Sequence, residues 1–137
     1  MFSKTTGTIP TIINSNNQDI VIKRLGKANI REQIRMLKKA AKENVDVLVL
    51  ECMAVNPELQ KICEEKILNA NITIITNVRM DHIKDMGDTL EELALALANT
   101  SPTNGTLIVN ESEFVKLFTK QASNIIKNII KLLLEKI

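Results

Sequence analysis

Two short, almost wholly apolar runs, each closing on groups that bind cations or move protons, constrain this chain more than any other feature. The stretch VLVLECMAVNPE, Val47 to Glu58, reads as a buried strand that ends at Glu51. The stretch ITIITNVRMDH, Ile72 to His82, repeats the design and closes on Asn77, Asp81 and the single histidine, His82. Val45 to Leu50 and Ile72 to Thr76 have the pattern of strands covered on both faces, the habit of parallel sheets. What separates them reads as helix. Asn56 is a capping residue, Pro57 suits the first helical position, and Glu58 favours the positive end of the helix dipole. From there a helix is predicted to about Asn69, with Leu59, Ile62, Cys63, Ile67 and Leu68 on its inner side. A further helix is predicted from Thr89 to Ala98, capped by Asp88 with Glu91 completing a capping box. The turn PTNG then leads to a third strand, Thr106 to Val109. Strand, helix, strand, helix, strand at this spacing predicts an α/β fold with right-handed crossovers and a mostly parallel sheet. Sheets of that kind build their sites beyond the carboxyl ends of the strands, where Glu51 and Asn77 to His82 lie.

The flanking regions read differently. In residues 1–26, TIPTII and DIVIKRL alternate as strands around the turn formers NSNNQD, Asn14 to Asp19, which predicts a hairpin or a loose excursion. Ile30, Ile34, Leu37 and Ala41 recur at helical spacing, predicting an amphipathic helix from Ile30 to Lys42. At the carboxyl end, Ile125, Ile126, Ile129, Ile130, Leu133 and Ile137 form one helical stripe with Lys127, Lys131 and Lys136 largely opposite. That pattern predicts an amphipathic helix over 119–137, docked on the sheet or serving self-association or a membrane surface.

The 137 residues bound a single domain, and 45% apolar with 25% charged residues is the balance of a folded globular chain. A net charge of +2, with no basic run interleaved with aromatics, gives no footprint for nucleic acid. Cys52 and Cys63 have neither redox-pair nor zinc spacing, which fits ordinary thiols in a reducing cytosol. No secretory leader pattern opens the sequence, and the apolar tail is broken by lysines. These features predict a cytoplasmic protein.

Glu51 alone or His82 alone would say little, because strands end in solvated glutamates and histidines often only pack or cap. A carboxylate and an imidazole at the ends of two parallel strands can together serve one cation. Carboxylate oxygen suits Mg²⁺, which keeps several waters and takes few protein ligands beside substrate phosphates. Asn77 and Asp81 can hydrogen-bond a hydrated ion or orient the histidine. There is no G-x-S-x-G elbow and no G-x-x-x-x-G-K-[ST] phosphate loop. The residues leave open a half-site for metal and phosphate, or a non-catalytic interaction and oligomerisation module.

A set of segments in order adds to this: SKTTGT (Ser3 to Thr8), ANIREQ (Ala28 to Gln33), LECMAVNPELQ (Leu50 to Gln60), TNVRMDHIKDMGDTLEE (Thr76 to Glu92) and NGTLIVNE (Asn104 to Glu111). Together they resemble the ATP-dependent ligase subunits of poly-γ-glutamate (capsule) synthesis, members of the Mur ligase superfamily. The resemblance covers roughly residues 3–115. It implies ATP-dependent activation of a carboxylate as an acyl phosphate, which an amino acid, glutamate by family, attacks to form an amide. It implies that Glu51 helps hold the Mg²⁺ that bridges the nucleotide phosphates, and that His82 serves a second metal site near the acyl phosphate. Asn77 and Asp81 match the polar framework, and Thr5, Thr6 and Thr8 would lie beside the phosphate and acceptor region.

The departures shape the expectation. The family's phosphate loop precedes the TTGT segment and is not found in these residues, so the resemblance is to an internal fragment without that strand and helix. Where Mur ligases often carry a carbamylated lysine, this chain has Leu97. After about Phe118 the resemblance fades. The expected organisation is therefore a partial Mur-ligase-like central domain over 1–118 and the amphipathic helix over 119–137. Implied partners are a second polypeptide carrying the phosphate loop and the carboxyl-terminal portion, membrane-associated capsule synthesis proteins at the inner face of the membrane, or another copy of the chain. Nucleic acid is not among them, and the isolated chain is expected to be inactive.

Overall fold

A computed structural model describes residues 1–24, 26–110, 113–122 and 128–131, the last four and residue 122 by their backbone alone. The chain forms two compact units, Met1–Ala54 and Val55–Ile137.

In the first unit, strands β1 (Phe2–Lys4), β2 (Thr11–Ile13), β3 (Asp19–Val21) and β4 (Leu48–Leu50) form a sheet in the order β3-β2-β1-β4. β2 and β3 make the expected hairpin, antiparallel and in register at Ile12 and Ile20. Its turn follows from the sequence. Asn14 Oδ1 accepts from the backbone amides of Asn16 at 3.1 Å and Gln18 at 2.9 Å, and Asn17 takes the left-handed conformation (φ 61°) that asparagine tolerates. β1 pairs antiparallel with β2 and parallel with β4. Helix α1 (Arg31–Lys42) closes the unit, and Phe2, Ile12, Met36 and Ala40 are its buried core, with Ile22, Val45, Leu48 and Leu50 packed around them. The buried face of α1 is not the predicted stripe. Glu32, Gln33, Met36 and Ala40 turn inward, whereas Ile34 is exposed.

In the second unit, β5 (Ile72–Ile75), β6 (Thr106–Val109) and β7 (Asn128–Lys131) form a fully parallel sheet in that order. Helix α2 (Pro57–Ile62) starts as the sequence predicts, with Asn56 Oδ1 accepting from the amides of Glu58 at 3.0 Å and Leu59 at 3.2 Å. It continues as a π-helical turn, Cys63–Leu68, and ends at Asn69 in the left-handed conformation. Helix α3 (Ile83–Met86) is a single turn, and α4 (Leu90–Ala98) follows. Here the cap lies one residue beyond the predicted one: Thr89 and Glu92, rather than Asp88 and Glu91, form the reciprocal capping box. Helix α5 (Val115–Ala122) completes the unit. Ile75, Val78, Leu93, Ala94, Ala98, Leu107, Val109, Phe114 and Phe118 are the core, with Leu97 packed against it. Gly105 admits no side chain, because a Cβ there would collide with the carbonyls of Ala70 and Asn71.

The fold is α/β, as predicted, but its strands are divided between two sheets. β4 and β5 were expected to be covered on both faces; each instead stands at the end of its own sheet among the described residues. Val47 and Val49 are accordingly 52% and 51% exposed, and Ile72 and Ile74 are 59% and 58% exposed. The tail departs as well. Residues Asn128–Lys131 are a strand parallel to β6, not part of a continuous amphipathic helix, while most of the predicted stripe lies outside the described residues. Ile129 and Ile130 are β-branched, and pairing with β6 satisfies backbone groups as well as a helix would.

Candidate active site

β1 and β4 run parallel, with Phe2, Ser3 and Lys4 opposite Leu48, Val49 and Leu50. Their carboxyl ends therefore lie side by side, and Glu51 N continues the ladder by donating to Lys4 O at 3.0 Å. Beyond Lys4 comes the segment Thr5-Thr6-Gly7-Thr8. Thr5 turns back onto β2: its amide donates to Thr11 O at 2.9 Å, and its hydroxyl oxygen accepts from Thr11 N at 3.2 Å. Thr6 faces the other neighbour, with its backbone amide donating to Glu51 Oε2 at 2.5 Å. Glu51 is exposed. Gly7 and Thr8 are exposed, and a Cβ at Gly7 would meet nothing within 4 Å, so the loop surface there is open to close approach. The structure thus brings Thr5, Thr6 and Glu51 together.

Beneath this loop lies a group of buried charges that the sequence reading missed. Lys4 and Glu32 are 2% and 1% exposed, and Gln33 is fully buried. Glu32 accepts Arg24 in a two-pronged ion pair, Nε to Oε2 and Nη2 to Oε1, both at 2.8 Å. Lys4 Nζ lies 3.2 Å from Glu32 Oε1 and donates to Gln33 Oε1 at 3.4 Å. The Arg24 hydrogen bonds, seconded by Lys4, hold the Glu32 carboxyl down at about 2 despite its burial. The same pairing raises Arg24. The available signal was the two-residue alternation of β1, which puts Lys4 on the face of fully buried Phe2.

In the second unit, β5 delivers Asn77 just past its carboxyl end, where it is exposed. Asp81 and His82 follow after buried Val78. His82 adopts the left-handed conformation (φ 47°, ψ 39°) at the start of α3. Asp81 Oδ1 accepts its backbone amide at 2.8 Å and stands 3.8 Å from its Nε2. Both side chains are exposed. Non-glycine residues in this region of backbone space are uncommon, though histidine is among those enriched there. The geometry turns the imidazole outward beside a carboxylate.

Among the described residues, no group of three or more His, Cys, Asp or Glu side chains is gathered as a metal cage. A hydrated Mg²⁺ does not need one, since one or two carboxylates with water and substrate phosphate suffice. The exposed Glu51 carboxylate, with Thr6 N fixing one oxygen, fits that habit. Leu97 packs against the apolar core of the second unit.

Strands and helices that alternate along the chain, with parallel pairing in both sheets, define a domain of the α/β class. More particularly, the chain belongs to the Mur ligase family, since residues 1–136 match the Mur ligase middle domain. It is 40% identical over 121 residues to the PGA synthase CapB of Bacillus subtilis, a match over 87% of this chain and 31% of that relative. Identity to the capsule biosynthesis protein CapB of Bacillus anthracis is also 40% over 121 residues, 87% of this chain and 26% of that protein. The chain thus spans about a third or less of the curated relatives it matches. No solved structure matches it significantly. No helix among the described residues is long and apolar enough to cross a membrane.

Proposed function

We propose that this chain carries the carboxylate-and-threonine part of an ATP-dependent amide ligase that acts in poly-γ-glutamate (capsule) synthesis. In this reading a carboxylate is activated as an acyl phosphate and joined to an amino acid, glutamate by analogy with the named relatives. The observation that carries it is the Thr6 amide bonded to Glu51 where the parallel strands β1 and β4 end. Glu51 would hold a hydrated Mg²⁺, and Thr6 and Thr8 would lie beside the phosphate and acceptor groups, whereas the Thr5 hydroxyl is engaged with Thr11 and would brace the loop. Asn77 and Asp81 form the polar frame of His82, which serves a second metal site. When bound, Mg²⁺ supplies charge neutralisation on the phosphates, the main demand of phosphoryl transfer.

No phosphate-loop motif occurs in the 137 residues. Tight nucleotide binding therefore requires that loop from polypeptide outside them, whether continuous with this chain or separate. By resemblance, the working protein acts in the cytoplasm beside membrane-associated capsule proteins. The division into a ligase-like part over 1–118 and a distinct tail over 119–137 belongs to the same proposal.

Calorimetry with Mg²⁺-ATP on the chain and on Glu51→Gln tests the reading. The expected result is weak binding, in the millimolar range of about −4 kcal/mol, that the variant loses. Equal heats in both proteins would remove Glu51 from the metal site. No heat from either protein, with a folded, self-associating chain, would favour the non-catalytic module.

A further inference from the structure

The buried charges under the threonine loop reach Glu51 at both its ends. On one side, Arg24 Nη2 donates to Glu32 Oε1 at 2.8 Å and also to Thr6 Oγ1 at 3.3 Å, and Thr6 N in turn donates to the Glu51 carboxylate. On the other, Gln33 Nε2 donates to the Glu51 backbone carbonyl at 3.2 Å, while its Oε1 accepts from Lys4, the partner of Glu32. Both routes start from the first turn of α1. We propose that Glu32 is a positioning residue: through Arg24 it holds Thr6 against the Glu51 carboxylate, and through Lys4 and Gln33 it holds the Glu51 backbone.

A burial-driven core has no reason to turn a carboxylate inward here. Burying it requires pairing, and α1 had apolar Ile34 available for an inward face yet leaves it exposed. Arg24 fills one acceptor site on the Thr6 hydroxyl, which keeps its proton and a second lone pair for other partners. The use made of this arrangement rests on the ligase reading; the arrangement itself does not.

The test is amide NMR and hydrogen exchange on the whole 137-residue chain, comparing wild type with Arg24→Lys, Glu32→Gln and Glu51→Gln. Glu51→Gln calibrates the probe by moving the Thr6 amide resonance. Arg24→Lys keeps a positive charge but lacks the fork that spans Glu32 and Thr6. The expected result in Arg24→Lys is a shifted Thr6 amide whose exchange quickens about tenfold, the loss of one ordinary hydrogen bond. The Ile22 amide, bonded to Pro10 O in the β2–β3 hairpin, should stay protected. Glu32→Gln should do the same where it folds, and Arg24→Lys carries the test where it does not. An unchanged Thr6 amide overturns the proposal, and so does equal loss at Thr6 and Ile22, which marks Glu32 as merely structural. A selective Thr6 response with no Mg²⁺-ATP heat sensitive to Glu51 would keep the positioning role and remove the ligase reading.

Discussion

Glu32 illustrates how one side chain can tie stability to pH. In the folded chain its carboxyl is held at about 2, first by the Arg24 hydrogen bonds and then by Lys4. In an unfolded chain it would titrate at about 4.3. The folded value is the lower one, so the stabilisation is fully present above the unfolded value. It is lost as pH falls through that window toward about 2. A shift of this size corresponds to roughly 3 kcal/mol, and the cost of burying the charge is already contained in it. Urea unfolding at neutral pH, at about pH 4 and at about pH 2.5 should show the first unit weakening in acid. Glu32→Gln should be less stable at neutral pH, because it leaves Lys4 buried beside a neutral amide, and its acid limb should be flatter. An identical acid limb in the variant would show that Glu32 does not govern it. Apart from the alternation that puts Lys4 on the face of Phe2, this was not legible in the sequence, because pattern reading assigns Glu, Lys and Arg outward and only pairing in three dimensions reverses that assignment.

Local elements were read best where their chemistry is local. Asn56-Pro57 starts a helix whatever the rest of the chain does, and the Asn56 carboxamide oxygen takes two otherwise unpaired amides there. Asn56→Ala should cost about 1 kcal/mol, read as a lower urea midpoint with unchanged slope, whereas Asn56→Ser or Asn56→Asp should restore most of it. No change in Asn56→Ala would mean that water caps the helix equally well. The capping box of α4 was recognised but placed one residue early, since Asp88 and Thr89 are both good caps with a glutamate three residues on. The hairpin, the strand Thr106–Val109 and the strand-end places of Glu51, Asn77 and His82 followed from turn formers and periodicity. Within the tail, Asn128–Lys131 was misread for a physical reason: a short run of isoleucines suits strand and helix alike, and these residues found a strand to pair with. The apolar runs of β4 and β5 could not reveal which strands would lie at a sheet edge, because that depends on what pairs beside them.

Those edges decide how the whole molecule behaves in solution. Among the described residues β4 ends one sheet and β5 ends the other, and each carries exposed apolar side chains. Exposed strand edges of this kind template pairing with another chain, and proteins usually blunt them with charges, bulges or covering segments. Val47 and Val49 on one, and Ile72 and Ile74 on the other, offer no such protection. A net charge of +2 adds little repulsion between copies. The purified chain should therefore self-associate as its concentration rises, with little response to salt because the contacts are apolar. Val49→Lys and Ile74→Lys place a charge on each edge separately. Each should raise the monomer fraction in sedimentation velocity, without loss of helix or sheet content by circular dichroism, because both side chains are more than half exposed. The two variants also apportion the effect, since a response to only one would identify the edge that recruits the second copy. A wild-type chain that sediments as a monomer throughout would contradict the argument, and would require these edges to be covered by residues of the same chain.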